Sequence, residues 1–597
     1  MKKEYKFGKS LRNFNWQIIE QDLKDVLSFT QKLGISDILA RVLISRGIKD
    51  VSMAEDFLYP KIRKLMPNPF LLKDMKKAAN RIADAIIRKE KMLIYADYDV
   101  DGATSSAVLK RFFRVLGVEA EVYIPCRFKE GYGPNLDAFK RLIKNGNKLI
   151  ITVDCGTVAF EPIKYAQDNG TDVIVIDHHL AQGELPSAYA IVNPNRIDEN
   201  FQYKEIAAVA VVFFVVTAIR SILREKGYFK DNPIEEPNII KYLDLVALGT
   251  VCDVMPLTGI NRAFVQQGLS LMKQRNNLGL NVLADLLKIN SKPQSYHLNY
   301  TFGPRINAGG RVGKGHLGYI LLSTDSYEEA QQTAVDLEKH NQQRKAIETL
   351  AYEEAIENIK MNYYEENDVL LALGSNWHLG ILGILASRIK ERYQKPTFIV
   401  SLENGIGKGS ARSIKGIDIG LNIMLAEQNG LLIKGGGHAM AGGFTIVQEK
   451  IDEFYNFLLL RVSRSSNLEQ IYKQAKTLKI DAQVTVNGIN TELFHDLAIA
   501  EPFGQGNERA RFLITDAKVI KTWTVSQSHI MLIVKDDVSE TFSNSLKCVL
   551  FRGDSVDYGK HLLKSTGKKI NLVGYLQLNF FDQNKVDFII EDFSFNE

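Results

Sequence analysis

From about residue 76 the chain alternates between two hydrophobic patterns. "MKKAANRIADAIIRKE" carries its apolar residues at helical spacing on one face. "KMLIYA", "EAEVYIP", "NKLIITV" and "TDVIVI" then follow as short apolar runs separated by helical stretches. They lack the in–out alternation of a half-exposed strand, so they predict a parallel sheet covered on both faces. Residues 1–75 read as a small helical and irregular region ending in the turn-rich "YPKIRKLMPNPFLL". After "NYTFGPRINAGGRVGKGHLG" a polar helix is predicted over roughly 326–363, with no Gly or Pro to break it. "DVLLALG", "HLGILGILASRIKERY" and "PTFIVS" repeat the order strand, helix, strand, up to the glycine-rich "IKGGGHAMAGGFTI". From about 475 the pattern turns to many short strands, which suggests a small barrel or sandwich, with an OB-fold the leading candidate. The predicted fold class is α/β with a β-rich C-terminal part. Its boundaries are 1–75, 76–325 for the parallel-sheet domain, 326–364 for a connecting helix, 365–468 for a second α/β domain and 469–597 for the β-rich domain.

Composition narrows this picture a little. A chain of 597 residues is too long for one domain. Lys and Arg exceed Asp and Glu by 75 to 70, a mildly basic balance that suits a polyanion partner without requiring one. No apolar run is long enough for a membrane span, and "MKKEYKFGKS" lacks the apolar core of a secretory signal. Cys126, Cys155, Cys252 and Cys548 are widely spaced with no CxxC, which points to reduced thiols in a cytoplasm and away from a zinc knuckle.

Ligands of parallel sheets bind outside the carboxyl ends of the strands. After "KMLIYA" come Asp97, Asp99 and Asp101; after "KLIITV" comes Asp154; after "DVIVI" come Asp177, His178 and His179. A helical segment, "IIKYLDLVALGTV", delivers Asp253. One such aspartate is commonly a helix cap, but several segments converging this way predict a cation site, because crowded carboxylates repel one another. Oxygen ligands with a minority of imidazole suit Mg²⁺ or Mn²⁺ better than zinc. The number of ligands suits two divalent cations and phosphate-ester hydrolysis. Asp154 is best placed to bridge them and His178 is the natural imidazole ligand. His179 cannot easily reach the same ion and is assigned to the scissile phosphate or the leaving oxygen. Asp177 is read as orienting its neighbours.

"DYDVDG", "VDCG", "IDHHL" and "GTVCDVMP", in this order, resemble the DHH phosphoesterases. "HLGILGILASR", "GSARS" and "GGGHAMAGGF" look like the associated DHHA1 domain. With "GPRINAGGR" and "EPFGQGNERARF" added, residues 70–595 resemble the RecJ nuclease family. The resemblance implies a single-strand-specific 5′→3′ DNA exonuclease of recombination and repair that uses Mg²⁺ or Mn²⁺. Asp97, Asp99, Asp101, Asp154, His178 and Asp253 would form its metal site. Smaller members of the family carry a histidine before the D-x-D pair; here Tyr95 stands four residues before Asp99. Asp99 and Asp101 are favoured as the pair, with Asp97 as a substitute for the missing histidine. A helicase and a single-strand-binding protein are implied as partners by the resemblance alone, and a monomer suffices.

Single-stranded DNA with a 5′ end also needs phosphate contacts. Arg127, Ser410 and Arg412 are assigned to a 5′-terminal phosphate, Arg305 and Arg311 to the following strand, and His438 to a further donor. Each arginine taken singly is as well explained by a structural ion pair. Trp523, Phe542, Phe551, Phe580 and Phe581 could stack on bases, although core packing is the commoner role. Two rivals remain: a DHH phosphodiesterase of short oligonucleotides or cyclic dinucleotides, and a non-catalytic DNA-binding scaffold. The β-rich extension argues against the first, and the intact acidic motifs against the second.

Overall fold

The computed structural model describes residues 10–595 except 128, 182, 466, 526–527, 537–543, 554–556, 580–581 and 583. Phe542, Phe580 and Phe581 lie outside the described residues. The chain folds as two compact units, one of residues 59–347 with 502–508 and the other of the remaining segments. Among the described residues no helix is long and apolar enough to cross a membrane.

The first unit is built on a five-stranded parallel sheet, here numbered β1 (Met92–Ala96), β2 (Ala120–Tyr123), β3 (Leu149–Val153), β4 (Asp172–Ile176) and β5 (Ala190–Val192). The four predicted strands are all present. β5 is additional to them, because three residues are too short to show a period. Every position of β1 and β3 is buried. Alternate side chains serve opposite faces: Met92, Ile94 and Ala96 join the large helical core, while Leu93 and Tyr95 join the core on the other side. The spatial order is β2-β1-β3-β4-β5, so the order reverses beside β1 and the carboxyl ends of β1 and β3 flank the crevice. Helices α1 (Val100–Val115), α2 (Ala208–Glu225) and α3 (Leu243–Cys252) share the large core with Met92, Ile94 and Ala96 on one face of the sheet; α2 is apolar almost all round and buried accordingly.

A buried carboxyl lies within this core. Asp244 of α3 accepts a hydrogen bond from the Leu245 N–H (2.7 Å), and burial pushes its pKa from 3.8 up to about 6. The folded state therefore holds this proton more tightly than the unfolded chain. Its stabilising effect is complete below pH 3.8 and is lost as pH rises to about 6. Asp244→Asn is expected to match the parent in urea unfolding at low pH and to exceed it at pH 8 by up to about 3 kcal/mol.

The second unit holds two larger sheets. In the first, Leu370–Ser375 pairs in parallel with Thr397–Glu403; Ile406–Arg412, Ala441–Val447 and Lys434–His438 follow antiparallel. The second is a closed barrel. Phe512–Val525, His529–Lys535, Leu546–Leu550, Val586–Phe595 and Lys569–Leu578 pair in that order, and the last pairs back with the first. That is the OB-like barrel expected. A 35-residue helix, Tyr327–Met361, occupies the region predicted as helical.

Two segments differ from the sequence reading. The N-terminal region, read as helical and irregular, contains a strand, Asn15–Ile18, paired in parallel with Thr477–Ile480. "NWQI" is short and half-exposed, and its partner is remote in sequence, so no local pattern reveals it. Residues 502–508, placed with the β-rich domain, pack instead in the first unit: the Leu257 N–H donates to the Gln505 carbonyl (2.7 Å), and Arg262 Nη1 to that of Pro502 (3.3 Å).

Candidate metal centre

The turn after β1 places its aspartates by backbone geometry. Asp99 caps α1, its Oδ1 accepting from the N–H groups of Asp101 (2.9 Å) and Gly102 (3.1 Å). Gly102 is required by close approach, because a Cβ there would lie 2.3 Å from the Asp97 carbonyl oxygen. The helix Gly303–Arg311 clasps the same turn. Asn307 Oδ1 accepts from the Val100 N–H (3.1 Å), and a Cβ on Gly310 would meet the Tyr98 carbonyl oxygen at 2.9 Å. These contacts account for much of "GPRINAGG".

Asp101 is held from the other side. Its two oxygens accept from the N–H groups of Ala208 (2.6 Å) and Val209 (2.9 Å), the start of α2. Asp154, directly after β3, is buried and adopts a left-handed backbone at φ 59°. Aspartate is among the few non-glycine residues that adopt this conformation readily, and here it sits directly at the strand end. Asp253 caps the C-terminus of α3.

These elements bring the side chains together. Asp97, Asp99 and Asp154 offer ligand atoms within 4.8 Å of one another, as do Asp101, His178 and Asp253. His178 Nε2 lies 3.3 Å from Asp154 Oδ1, 3.6 Å from Asp253 Oδ2 and 3.9 Å from Asp101 Oδ2. Asp154, His178 and His179 form a third such group, so the His179 ring also lies beside the cluster. The two imidazoles meet edge to face at 4.7 Å.

The electrostatics are those of a site that wants cations. Burial first, and then neighbouring carboxylates, raise the pKa values of Asp97 and Asp154 far above the usual range, that of Asp101 to about 7 and that of Asp253 to about 9. Asp97 Oδ1 and Asp253 Oδ2 are buried without a hydrogen-bond partner. Such atoms are costly unless something positive meets them. Burial and the neighbouring His179 lower His178 to about 4, which leaves its lone pair open to a metal. The donor set therefore fits divalent cations, and Asp154, common to two of the groups, is the bridging candidate.

Around the ligands lies an orienting shell. Asp177 Oδ1 accepts from the His178 N–H (2.8 Å) and His179 N–H (3.2 Å) and lies 2.8 Å from His179 Nδ1; its Oδ2 accepts from the Thr157 N–H (3.0 Å). Burial alone would raise Asp177, but His179 and these hydrogen bonds hold it below the usual carboxylate range. Three members of the shell do not stand out in the sequence. Tyr132 brings its hydroxyl 3.2 Å from His179 Nε2; Asn193 Nδ2 donates to the His179 carbonyl (2.8 Å), and Asn195 Nδ2 to that of His178 (2.6 Å). Asn193 directly follows β5, so the strand-end rule points to it once β5 is known.

Tyr95 is buried on the opposite face, its hydroxyl donating to the Gly133 carbonyl (2.9 Å), and is no ligand; Asp97 occupies the cluster instead.

The arginines divide. Arg305 Nε is 2.6 Å from Glu338 Oε2 and its Nη1 donates to the Thr301 carbonyl (2.8 Å), the structural ion pair of the alternative reading. Arg127 is exposed and lies over the Tyr98 ring at 5.3 Å. Burial, with the charges of Arg127 and Arg344, pushes Arg311 down to about 10. Arg344, which the sequence does not single out, completes a cationic group beside the aspartate turn. In the second unit, Arg412 Nη1 donates to the Ala411 carbonyl (2.9 Å) and reaches Ser410 Oγ at 3.4 Å. Exposed His438 and Arg412 both pair with Ala441 across their strands. Trp523 is half-buried beside Lys521, and Phe551 is 50% exposed against the edge of His529.

Comparison with known proteins agrees with this geometry. Sequence profiles described as DHH family, N-terminal domain, DHHA1 domain and RecJ OB domain match residues 91–250, 366–463 and 480–592. The chain is 32% identical over 580 residues to the single-stranded-DNA-specific exonuclease RecJ of Bacillus subtilis (strain 168), covering 96% of this chain and 69% of that protein. The crystal structure of Thermus thermophilus RecJ in complex with Mn²⁺ shares its fold, with a TM-score of 0.78 at 24% identity over 98% of this chain and 80% of that one. A crystal structure of exonuclease RecJ bound to manganese matches at 29% identity and a TM-score of 0.57, over 68% of this chain and 97% of that one. The strand-end acids, the DHHA1 and OB-like domains and 32% identity over 96% of this chain agree: the chain belongs to the RecJ family of single-stranded-DNA-specific exonucleases.

Proposed function

We propose that the chain is a metal-dependent exonuclease that hydrolyses single-stranded DNA from a 5′ end in recombination and repair. The observation that carries this reading is the convergence of five aspartates and two histidines in three overlapping ligand groups, with buried carboxylate oxygens left unpaired. Asp97, Asp99 and Asp154 would hold one cation, and Asp101, Asp154, His178 and Asp253 a second. When bound, such a pair of cations activates water and neutralises charge building on the phosphate. Asp177 fixes the His179 ring through Nδ1 and leaves Nε2, beside the Tyr132 hydroxyl, facing the place of a phosphate oxygen. Every ligand comes from one chain, so a monomer suffices.

Strand contacts follow from the cations. Burial and the charges of Arg127 and Arg344 disfavour the Arg311 charge, and an anion beside Arg311 would relieve this. Ser410, Arg412 and His438 offer donors in the second unit and would meet the 5′ phosphate. Arg311→Gln is expected to raise the DNA concentration for half-maximal rate by roughly tenfold and to flatten the slope of log affinity against log salt by about 1. An unchanged slope would remove Arg311 from the phosphate track.

The test of the function uses end-labelled single- and double-stranded DNA with Mn²⁺ and with EDTA. Degradation of the single strand from its 5′ end, lost in EDTA, is the predicted result. Cleavage of dinucleotides but not of long strands would favour the small-substrate phosphodiesterase. Binding without cleavage under either metal would favour the scaffold.

A further inference from the structure

The turn that carries Asp253 is strained. Val254, the next residue, has φ 56° and is 55% exposed. A β-branched side chain rarely adopts this conformation, and its own packing supplies little to hold it there. Local hydrogen bonds close the turn: the Asp253 N–H to the Gly249 carbonyl (2.9 Å), the Val254 N–H to that of Val251 (3.2 Å) and the Met255 N–H to that of Thr250 (3.1 Å). The restraint beyond them comes from residues 502–507.

That segment forms a small knot of its own. The Gly504 N–H donates to the Asn507 carbonyl (2.8 Å) and the Asn507 N–H to the Gly504 carbonyl (3.1 Å), while buried Asn507 Nδ2 donates to the Pro502 carbonyl (2.9 Å). The knot is fastened to the unit by fully buried Arg262, through Pro502, and by Ser295 Oγ, which donates to the Phe503 carbonyl (2.5 Å). It grips the segment after Val254. The Leu257 N–H donates to the Gln505 carbonyl (2.7 Å), and Gly506, at φ 73°, lies so near Pro256 that a Cβ would meet the Pro256 Cβ at 3.2 Å. Asn261 Nδ2 then joins the Pro256 carbonyl (3.1 Å) to the Glu205 carbonyl (2.7 Å), three residues before the α2 amides that bind Asp101.

We propose that the Pro502–Asn507 knot is a positioning element of the metal centre: it holds the strained turn at Val254, and through it the aim of the Asp253 carboxylate. Gly506 and Asn507 are then positioning residues, remote from the ligands but needed for their geometry. The inference rests on the metal-centre reading above.

The test is Mn²⁺ binding to the full chain by titration calorimetry without DNA, so that activity is not the readout. Gly506→Ala, which pushes against Pro256, and Asn507→Ala, which loosens the knot, are expected to weaken Mn²⁺ binding by about tenfold or more, the usual size of outer-shell effects. Adding Val254→Gly removes the Cβ penalty at positive φ. It is expected to bring Mn²⁺ affinity in the Gly506→Ala background back to within about threefold of the parent, while leaving any loss of thermal stability in place. A purely structural role for the knot would lower thermal stability without this rescue. Parent-like Mn²⁺ binding in folded Gly506→Ala, or no rescue by Val254→Gly, overturns the proposal. Absence of Mn²⁺ binding to the parent chain overturns the metal-centre reading itself, which keeps the two failures distinct.

Discussion

Asp154→Asn is expected to abolish strand hydrolysis and, at the same time, to make the metal-free protein more stable. Asparagine adopts the left-handed backbone readily, so the turn at φ 59° persists. Without cations the Asp154 carboxylate is buried among Asp97, Asp99, Asp101 and Asp253, all of which oppose its charge. Neutralising it removes that repulsion, and unfolding in EDTA should show a gain of about 1–2 kcal/mol. With Asp154 as the proposed bridging ligand, the rate at saturating Mn²⁺ should fall by at least about 10³, or roughly 4 kcal/mol of barrier. Mn²⁺ should also stabilise the parent more than the variant, because a ligand that binds the folded state stabilises it by mass action. A variant that is less stable in EDTA, or that keeps activity within about tenfold of the parent, would contradict the account.

Asp101→Asn is expected to lose activity too, but with a stability effect whose sign depends on pH. Both Asp101 oxygens accept backbone N–H groups from the start of α2. An amide presents one acceptor and turns its NH₂ toward a donor, leaving one buried N–H unsatisfied. In EDTA at low pH, where Asp101 is protonated both folded and unfolded, the unfolding free energy should drop by about 1–3 kcal/mol. Because burial and the Asp99 charge raise the Asp101 pKa to about 7, the drop shrinks as pH rises above 3.8 and gives way to a gain near pH 8. The loss at low pH reports the backbone donors, and its reversal at high pH reports the crowded charge.

Much of the centre is legible in the sequence because it follows from strand ends. Continuous apolar runs locate β1, β3 and β4, and the residues directly after them are the candidate ligands. What the sequence hides depends on distance in the chain or on brevity. β5 is three residues long, so Asn193 does not stand out. Asn15–Ile18 has its partner at Thr477–Ile480, and no local period encodes that pairing. Arg305 and Arg311 lie in one motif and look alike in sequence, yet Glu338, a turn and a helix away, pairs with the first. That the His179 ring packs against the His178 ring beside the cluster is likewise a property of the folded chain.

The most direct test of the account is a Mn²⁺ anomalous difference map from crystals of this chain. Two peaks about 3.5–4 Å apart, with Asp154 within ligand distance of both, are the predicted result. A single peak, or peaks that leave Asp154 uncoordinated, would contradict the two-cation centre on which the proposed chemistry depends.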